Sequence, residues 1–126
     1  MNLVDSSAWL EYFADGPNAN FFAPGIEDTE ELLVPTICLL EVFKRALQQR
    51  GEGAALHAVA QMQQGQVVDF DSALALSAAR LGFTLKLPLP DSVILAIARA
   101  YGAVIWTQDS DFASVKGVKY LRKKKG

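Results

Sequence analysis

Short apolar runs alternate with longer helix-like segments along this chain, and this alternation limits the possible folds more than any other feature. The runs that read as strands cover Asn2–Val4, Leu32–Val34, Gln66–Phe70, Ala103–Trp106 and Val118–Leu121. Segments with helical spacing of apolar residues separate them, and such alternation is typical of parallel sheets covered by helices. The sequence therefore predicts an α/β fold with a mostly parallel central sheet.

Helix boundaries follow from caps and breakers in the same chain. The predicted helices cover Ala8–Ala14, Asn18–Asp28, Thr36–Arg50, Gly53–Gln64, Ser72–Leu81 and Ser92–Tyr101, with a short helical turn within 107–112. Thr36 and Asp71 are residue types that cap helices well, so each is predicted to cap its helix. Pro24 could break or kink the second helix, and the prolines of Leu87–Pro90 are expected to keep that segment extended.

Length and composition indicate a single domain over residues 1–126. Half of the residues are apolar, which suits a globular core and excludes a disordered chain. No apolar stretch reaches the roughly 18 to 20 residues of a membrane span, and the N-terminus lacks the pattern of a secretory signal. We therefore expect a cytoplasmic protein that does not enter membranes.

The charge of the chain is unevenly distributed. The net charge of -2 argues against strong non-specific nucleic-acid binding by the whole molecule. The chain nevertheless ends in a basic tail, residues 122–126, which could be flexible. A solvated tail and an arm that contacts phosphates both remain open from the sequence.

The chain contains one cysteine, Cys38, and one histidine, His57. A single cysteine excludes an internal disulfide and CxxC metal sites, and Cys38 lies in an apolar helical segment where a buried thiol is expected. His57 lies in a polar helix and is expected at the surface. Cys/His catalysis is therefore poorly supported, and His-rich zinc sites are excluded.

Glu41 is the only charged residue in the apolar run Leu33–Phe43. With Ile37 and Leu40 it follows the i, i+3, i+4 pattern of one helix face, so its carboxylate is expected among buried neighbours. A buried carboxylate must take up a proton or bind a cation. Because the sequence offers no obvious buried Arg or Lys as its partner, we expect a metal ion there.

Other carboxylates occur where strand-like runs end. Asp5 follows the first strand, Asp91 follows the proline pair at a helix start, and Asp109 and Asp111 follow the fourth strand. Ligand sites of parallel sheets form at the carboxyl ends of strands, although each of these acids could instead cap a helix. Acids without histidines suit a hard cation such as Mg²⁺ or Mn²⁺, and metal-assisted hydrolysis of a phosphodiester is the matching chemistry.

Two basic residues, Lys44 and Arg45, lie one turn after Glu41. They could form part of a solvated helix face, or they could contact substrate phosphates at the rim of the acidic site. The sequence favours neither alternative.

Four sequence blocks together resemble the PIN domain. They are VDSS at Val4–Ser7, Glu41 in its helix, LPDSVILAIARAYGA at Leu89–Ala103, and WTQDSDF at Trp106–Phe112. Within that superfamily the chain is similar to VapC-type toxins of toxin–antitoxin pairs, and the resemblance spans nearly the whole chain. It implies a PIN-like three-layer α/β/α fold.

The resemblance also implies roles for individual residues. The catalytic and metal-binding acids would be Asp5, Glu41, Asp91 and Asp109, with Asp111 as an accessory metal ligand and Ser6 and Thr107 as the hydroxyls that orient them. It further implies one or two Mg²⁺ or Mn²⁺ ions, RNA as substrate, a homodimer, and a VapB-like antitoxin that inserts a segment, often with an arginine, across the acidic site. An arginine beside clustered carboxylates is favoured electrostatically. Whether Asp109 or Asp111 is the main ligand stays open.

Three functions are compatible with these patterns. The leading one is a metal-dependent endoribonuclease that acts as the toxin of a toxin–antitoxin pair. The second is a non-catalytic module that binds nucleic acid or protein, with the acids as helix caps. The third is a nuclease for DNA or another phosphate ester; RNA rests on the resemblance alone, because nothing in the sequence separates the two substrates.

Overall fold

The computed structural model describes residues 1–125; Gly126, the last residue of the predicted basic tail, lies outside the described residues. The strands are β1 (Asn2–Val4), β2 (Leu32–Pro35), β3 (Gln66–Val68), β4 (Val104–Thr107) and β5 (Lys119–Tyr120). The α-helices are α1 (Ser6–Phe13), α2 (Ala19–Glu27), α3 (Thr36–Arg50), α4 (Glu52–Met62), α5 (Ser72–Leu85) and α6 (Leu89–Tyr101). Short 3₁₀ helices cover Thr29–Glu31 and Ser110–Phe112.

The five strands form one sheet in the order β3-β2-β1-β4-β5, and every neighbouring pair is parallel. Right-handed crossovers therefore place α1 to α4 on one face of the sheet and α5 and α6 on the other. This arrangement confirms the predicted three-layer α/β/α fold. The chain extends the sheet from β1 first towards β3 and later towards β5, so the strand order reverses between β1 and β4. Ligand sites of parallel sheets form at such a reversal, outside the carboxyl ends of the strands.

The central strands are buried on both sides. Leu3, Leu33, Val34 and Ile105 are at most 2% exposed, which explains why these strands read as continuous apolar runs. Helix α6 is similarly enclosed over Val93–Ala98. This burial fixes α6 against the sheet and so fixes the position of its first turn.

The predicted starts of α1 and α6 and the predicted cap of α3 were wrong; α1 begins at Ser6 and not at Ala8. Leu89 and Pro90 form the first turn of α6 instead of an extended segment, because proline is well tolerated where a helix begins. Thr36 is the first residue of α3 and not its cap; Pro35 occupies the cap position. The predicted cap of α5 is confirmed, since the Asp71 carboxylate accepts a hydrogen bond from the Leu74 backbone N–H at 2.9 Å.

Other differences concern continuity and burial. Helix α2 runs through Pro24 without a break, held by the burial of Phe22 and Ile26. Strand β3 ends at Val68 and not at Phe70, and α5 extends four residues beyond the predicted end, to Leu85. The apolar run in α3 did not predict its buried face correctly, because Leu40 is 64% exposed while Cys38 and Val42 face the core.

Among the described residues, no single helix is long and apolar enough to cross a membrane. Helices α5 and α6 meet the length and composition criteria only as a pair that is bent by 116°.

Candidate metal centre

Asp5 lies directly after β1, and its carboxylate is turned into the molecule. The side chain is 5% exposed. Asp5 occupies the cap position of α1, yet its carboxylate makes no capping hydrogen bond. Its Oδ2 atom instead accepts hydrogen bonds from Thr107 Oγ1 at 2.8 Å and from Ser7 Oγ at 3.1 Å. The acid is therefore held at the carboxyl edge of the sheet for a purpose other than helix capping.

Thr107, the last residue of β4, connects the acids of two neighbouring strand ends. Its hydroxyl donates to Asp5 and accepts the backbone N–H of Asp109 at 2.9 Å. The side chain is fully buried, so water does not compete for these bonds. The Asp109 carboxylate in turn accepts the Asp111 backbone N–H at 2.9 Å, which begins the 3₁₀ helix at Ser110. Asp5 and Asp109 thus face each other across the reversal in strand order.

Asp91 reaches the same edge of the sheet from α6. Because α6 leads directly into β4 and runs antiparallel to it, the first turn of α6 lies at the carboxyl ends of the strands. Asp91 is in that first turn and is 6% exposed. The amino end of a helix favours a negative charge, which offsets part of the cost of placing this acid near others.

Three carboxylates converge at this point. Asp91, Asp109 and Asp111 each offer one oxygen, and these oxygens lie within 4.8 Å of one another. Mg²⁺ binds oxygen at about 2.0 to 2.1 Å, so two ligands on opposite sides of one ion are about 4 Å apart. Small side-chain rotations would therefore bring all three onto one cation. Asp91 is buried, Asp109 is half-buried and Asp111 is exposed, so the site is open to solvent on one side.

Protonation of the acids reflects their crowding. Burial, together with the charges of Asp109 and Asp5, raises the pKa of Asp91 to about 8. Burial also raises the pKa of Asp5, although the hydroxyls of Thr107 and Ser7 oppose this shift. A bound divalent cation would favour the ionised forms of both groups. The chemistry of this donor set, all carboxylate oxygens, fits a hard cation.

Glu41 is near the centre but not within the group of converging oxygens. Its Oε1 atom accepts a hydrogen bond from Ser6 Oγ at 2.7 Å, and the residue is half-buried in α3. Cys38, one turn earlier, is fully buried, as predicted, and burial raises the pKa of its thiol, with the charge of Asp5 adding to the effect. The two serines after Asp5 therefore serve different acids: Ser6 contacts Glu41, and Ser7 contacts Asp5.

The two predicted substrate contacts are placed differently. Lys44 and Arg45 are both exposed. Arg45 lines a cleft of about 410 Å³ that reaches Asp109, whereas Lys44 is absent from the lining of that cleft.

A buried polar network behind the centre was missed by the sequence analysis. Glu11 is 8% exposed and accepts the Asn18 backbone N–H at 2.8 Å. Asn18 Nδ2 donates to Gln108 Oε1 at 3.1 Å, and Gln108 directly precedes Asp109. Gln108 is 90 positions from Asn18 and 97 from Glu11 along the chain, so no local pattern points to their contact. The only signal in the sequence that could have indicated this network was a polar residue, Gln108, next to a predicted site residue.

A second hollow, of about 570 Å³, lies away from the acids among α1, α2, α3 and α4. His57 lines it and is exposed, as predicted. None of the carboxylates of the candidate centre borders this hollow.

The fold and the site define a parallel α/β protein with an acidic centre at the reversal of its strand order. The PIN domain family model matches residues 3–118, and the chain belongs to this family. No significant match was found among curated proteins.

Solved structures resemble the whole chain. A toxin–antitoxin complex from Klebsiella pneumoniae matches with a TM-score of 0.79 and 23% identity, over 94% of this chain and 95% of the other. VapC20 of Mycobacterium tuberculosis, described as a sarcin–ricin loop cleaving toxin, matches with a TM-score of 0.77 and 18% identity, over 98% and 100%. The DNA-bound VapBC of Salmonella typhimurium matches with a TM-score of 0.73 and 17% identity, over 97% and 98%. At these identities the likeness concerns the fold.

Proposed function

We propose that this protein is a metal-dependent endoribonuclease that acts as the toxin of a VapC-type toxin–antitoxin pair. The observation that carries the proposal is the convergence of Asp91, Asp109 and Asp111 within 4.8 Å, with Asp5 hydrogen-bonded close behind them. Helix caps need no such convergence, because each cap serves only its own helix. The arrangement therefore favours a nuclease over a module in which the acids are merely structural.

Asp91, Asp109 and Asp111 are the residues that would hold Mg²⁺ or Mn²⁺. A divalent cation in a site of this kind activates the attacking water and neutralises charge that develops on the phosphate. Because Asp111 is exposed, we infer that substrate approaches the centre from its side. Thr107 fixes the positions of Asp5 and Asp109 relative to each other, and Glu41, held by Ser6, adds negative charge on the side of α3.

The toxin role, the antitoxin and the homodimer rest on the family resemblance together with the structural neighbours, two of which are described as a toxin–antitoxin complex and as VapBC. An acidic centre that is open on one side suits inhibition by an arginine-bearing antitoxin segment, because arginine pairs strongly with carboxylates. We propose that the pair acts in the cytoplasm.

Cleavage assays test the nuclease directly. Purified protein, freed of any bound partner, is incubated with a panel of RNA and single-stranded DNA in Mg²⁺, Mn²⁺ or EDTA. We expect RNA cleavage that requires a metal and falls at least about a hundredfold in Asp91→Asn, because a ligand of the cation is lost.

Asp28→Asn is the matched control. Asp28 is exposed and lies between α2 and β2, at the opposite end of the sheet, and its side chain caps no helix. This variant should cleave like the wild type. Equal activity of Asp91→Asn and wild type would refute the metal centre. Metal-dependent cleavage of DNA alone would mean that DNA, and not RNA, is the substrate.

A further inference from the structure

We propose that the cleft beside Asp109 binds the phosphate backbone of single-stranded RNA between Arg45 and Lys123. This inference rests on the proposed function, since it assigns the path by which substrate reaches the acidic centre. The cleft has a volume of about 410 Å³ and is bordered by α1, by α3, by the segment after β4 and by the C-terminal segment. Asp109 belongs both to its wall and to the group of metal-ligating acids. A strand bound in the cleft would therefore end at the cation.

The C-terminal segment is anchored immediately before Lys123. The Leu121 backbone N–H donates to the Thr107 carbonyl at 3.1 Å. Asn18 Nδ2 donates to the Arg122 carbonyl at 3.0 Å, and Asn18 is 1% exposed. Leu121 and Arg122, the two residues before Lys123, are thus fixed to the body of the protein. Lys123 follows them and lines the cleft.

Asn18 is itself held from two sides. Its backbone N–H donates to Glu11, and its side chain donates to Gln108 as well as to the tail. The Glu11 carboxylate accepts the Asn18 backbone N–H at Oε2, and its Oε1 accepts a hydrogen bond from Gln108 Nε2 at 3.5 Å. The network therefore joins the tail to the residue that precedes Asp109. We assign Asn18 as a positioning residue for Lys123.

Arg45 and Lys123 are both free to bind a phosphate. Both are exposed, and among residues 1–125 neither forms a salt bridge with a carboxylate. They come from distant parts of the chain, on α3 and on the C-terminal segment, yet they line one cleft. Cationic side chains neutralise phosphates and release counterions, which gives binding its dependence on salt. The other cations of the tail, at 122, 124 and 125, raise the local positive potential although the net charge of the chain is -2.

The lining of the cleft favours the backbone of a single strand over a base-specific pocket. Its volume of about 410 Å³ lies within the range of small-ligand sites, so it would hold a short stretch of one strand. Within residues 1–125, its lining includes no aromatic side chain on which a base could stack. The residues beside the two cations are small or aliphatic, such as Ala14 and Leu10, or polar, such as Gln49. The lining also includes Glu11, whose carboxylate accepts hydrogen bonds from the buried network. Recognition here would therefore depend little on sequence.

The test measures RNA binding in full-length protein that carries Asp91→Asn, so that cleavage does not interfere. Affinity for a short, fluorescein-labelled single-stranded RNA of mixed sequence is followed by anisotropy over a series of salt concentrations. For single strands, each phosphate contact contributes about 0.7 to the slope of log affinity against log salt. Arg45→Ala and Lys123→Ala should each lower the magnitude of the slope by about 0.7.

Arg80→Ala is the matched control for Arg45→Ala. Arg80 is exposed on α5, beside Arg99 in the last turn of α6, and belongs neither to the lining of the cleft nor to the group of converging acids. Replacing Arg80 should leave the slope of log affinity against log salt unchanged. Asn18→Ala should lower the magnitude of the salt-dependence slope by about as much as Lys123→Ala does. The double variant should lower it no further, because Asn18 acts through Lys123. A merely structural role of Asn18 would not move the slope.

Unchanged slopes in Arg45→Ala and Lys123→Ala, an equal loss in Arg80→Ala, or no RNA binding at all would overturn this proposal. Its outcome is separate from that of the nuclease proposal. Metal-dependent cleavage by the wild type with unchanged slopes would sustain the nuclease and reject the cleft. Reduced slopes without any cleavage would sustain the cleft and reject the nuclease.

Discussion

At the scale of single residues, Asp91 determines much of the behaviour of the centre. Its carboxylate is buried beside two others, and ionisation there without a cation is unfavourable. The pKa of Asp91 is raised to about 8, first by burial and then by the charges of Asp109 and Asp5. Near neutral pH, the metal-free protein therefore keeps a proton on Asp91. Binding of a cation must release that proton, so metal affinity should increase as the pH rises.

The same shift predicts how the stability of the metal-free protein depends on pH. The pKa of Asp91 is near 3.8 in the unfolded chain and about 8 in the folded protein. Between these values the folded state binds more protons than the unfolded state, so the free energy of unfolding falls as the pH rises. Asp5 acts in the same direction, because burial raises its pKa too. In EDTA, the melting temperature of the wild type should fall from about pH 4 to about pH 8 more steeply than that of Asp91→Asn.

The difference in melting temperature between the wild type and Asp91→Asn should stop increasing above about pH 8, where Asp91 is ionised in both the folded and the unfolded state. Asp28→Asn, which changes an exposed acid, should follow the wild type. Parallel curves for wild type and Asp91→Asn would show that burial does not hold a proton on this carboxylate.

At the scale of elements, the packing of α5 on α6 sets the position of Asp91. Gly82 on α5 lies so close to α6 that an added Cβ atom would be 2.5 Å from Ser92 Oγ and 3.3 Å from Ser92 Cβ. Ser92 is buried next to Asp91, and its hydroxyl donates to the Pro88 carbonyl at 3.0 Å, which closes the first turn of α6. The absence of a side chain at residue 82 therefore allows the turn that carries Asp91 to pack where it does.

Gly82→Ala should consequently weaken both folding and metal binding. The helix propensity of alanine would favour the change by about 1 kcal/mol. Overpacking in a close interface costs about 1 to 3 kcal/mol, so we expect a net loss of stability. The first turn of α6 must shift, and Mn²⁺ affinity measured by calorimetry should fall about tenfold or more, in the range seen when groups that orient metal ligands are disturbed.

Two variants check this explanation. Adding Ser92→Ala removes the nearest atom and should restore part of both losses. Asp71→Ala removes the cap of the same helix, α5, and should lower stability by about 1 kcal/mol without changing Mn²⁺ affinity. A loss of stability in Gly82→Ala with unchanged Mn²⁺ affinity would mean that α5 does not position the acid.

Features of the site that follow from the order of strands and helices could be predicted from the sequence. Features that depend on contacts between residues far apart in the chain could not. Asp5 and Asp109 could be located because parallel topology brings strand ends to one edge, whatever the details of packing. The exposure of Leu40 could not, because the apolar run in α3 covers more than one helix face. The link between Asn18 and Gln108 spans 90 positions and depends on how α1 and α2 pack beside β4. Only the folded chain determines such a contact.

At the scale of the whole molecule, apolar side chains remain exposed on the face opposite α1 to α4. Leu76 and Phe83 are 67% and 88% exposed, and with Ala79 they form one stripe along α5. Leu89, at the start of α6, is 77% exposed. Soluble monomers rarely expose contiguous apolar patches of large area. This stripe supports the proposed homodimer and lies on helices that also position Asp91.

Phe83→Ser should therefore weaken self-association. Burial of one phenylalanine side chain contributes about 1.5 to 3 kcal/mol, so its loss should raise the dimer dissociation constant by at least about tenfold, as measured by sedimentation at a series of protein concentrations. Phe70→Ser is the matched control, because Phe70 is 45% exposed after β3, away from the stripe. A wild type that is monomeric at every concentration, or an equal effect of both variants, would mean that α5 does not form the dimer surface. Retention of the far-ultraviolet circular dichroism spectrum in both variants would show that a change in association does not come from unfolding.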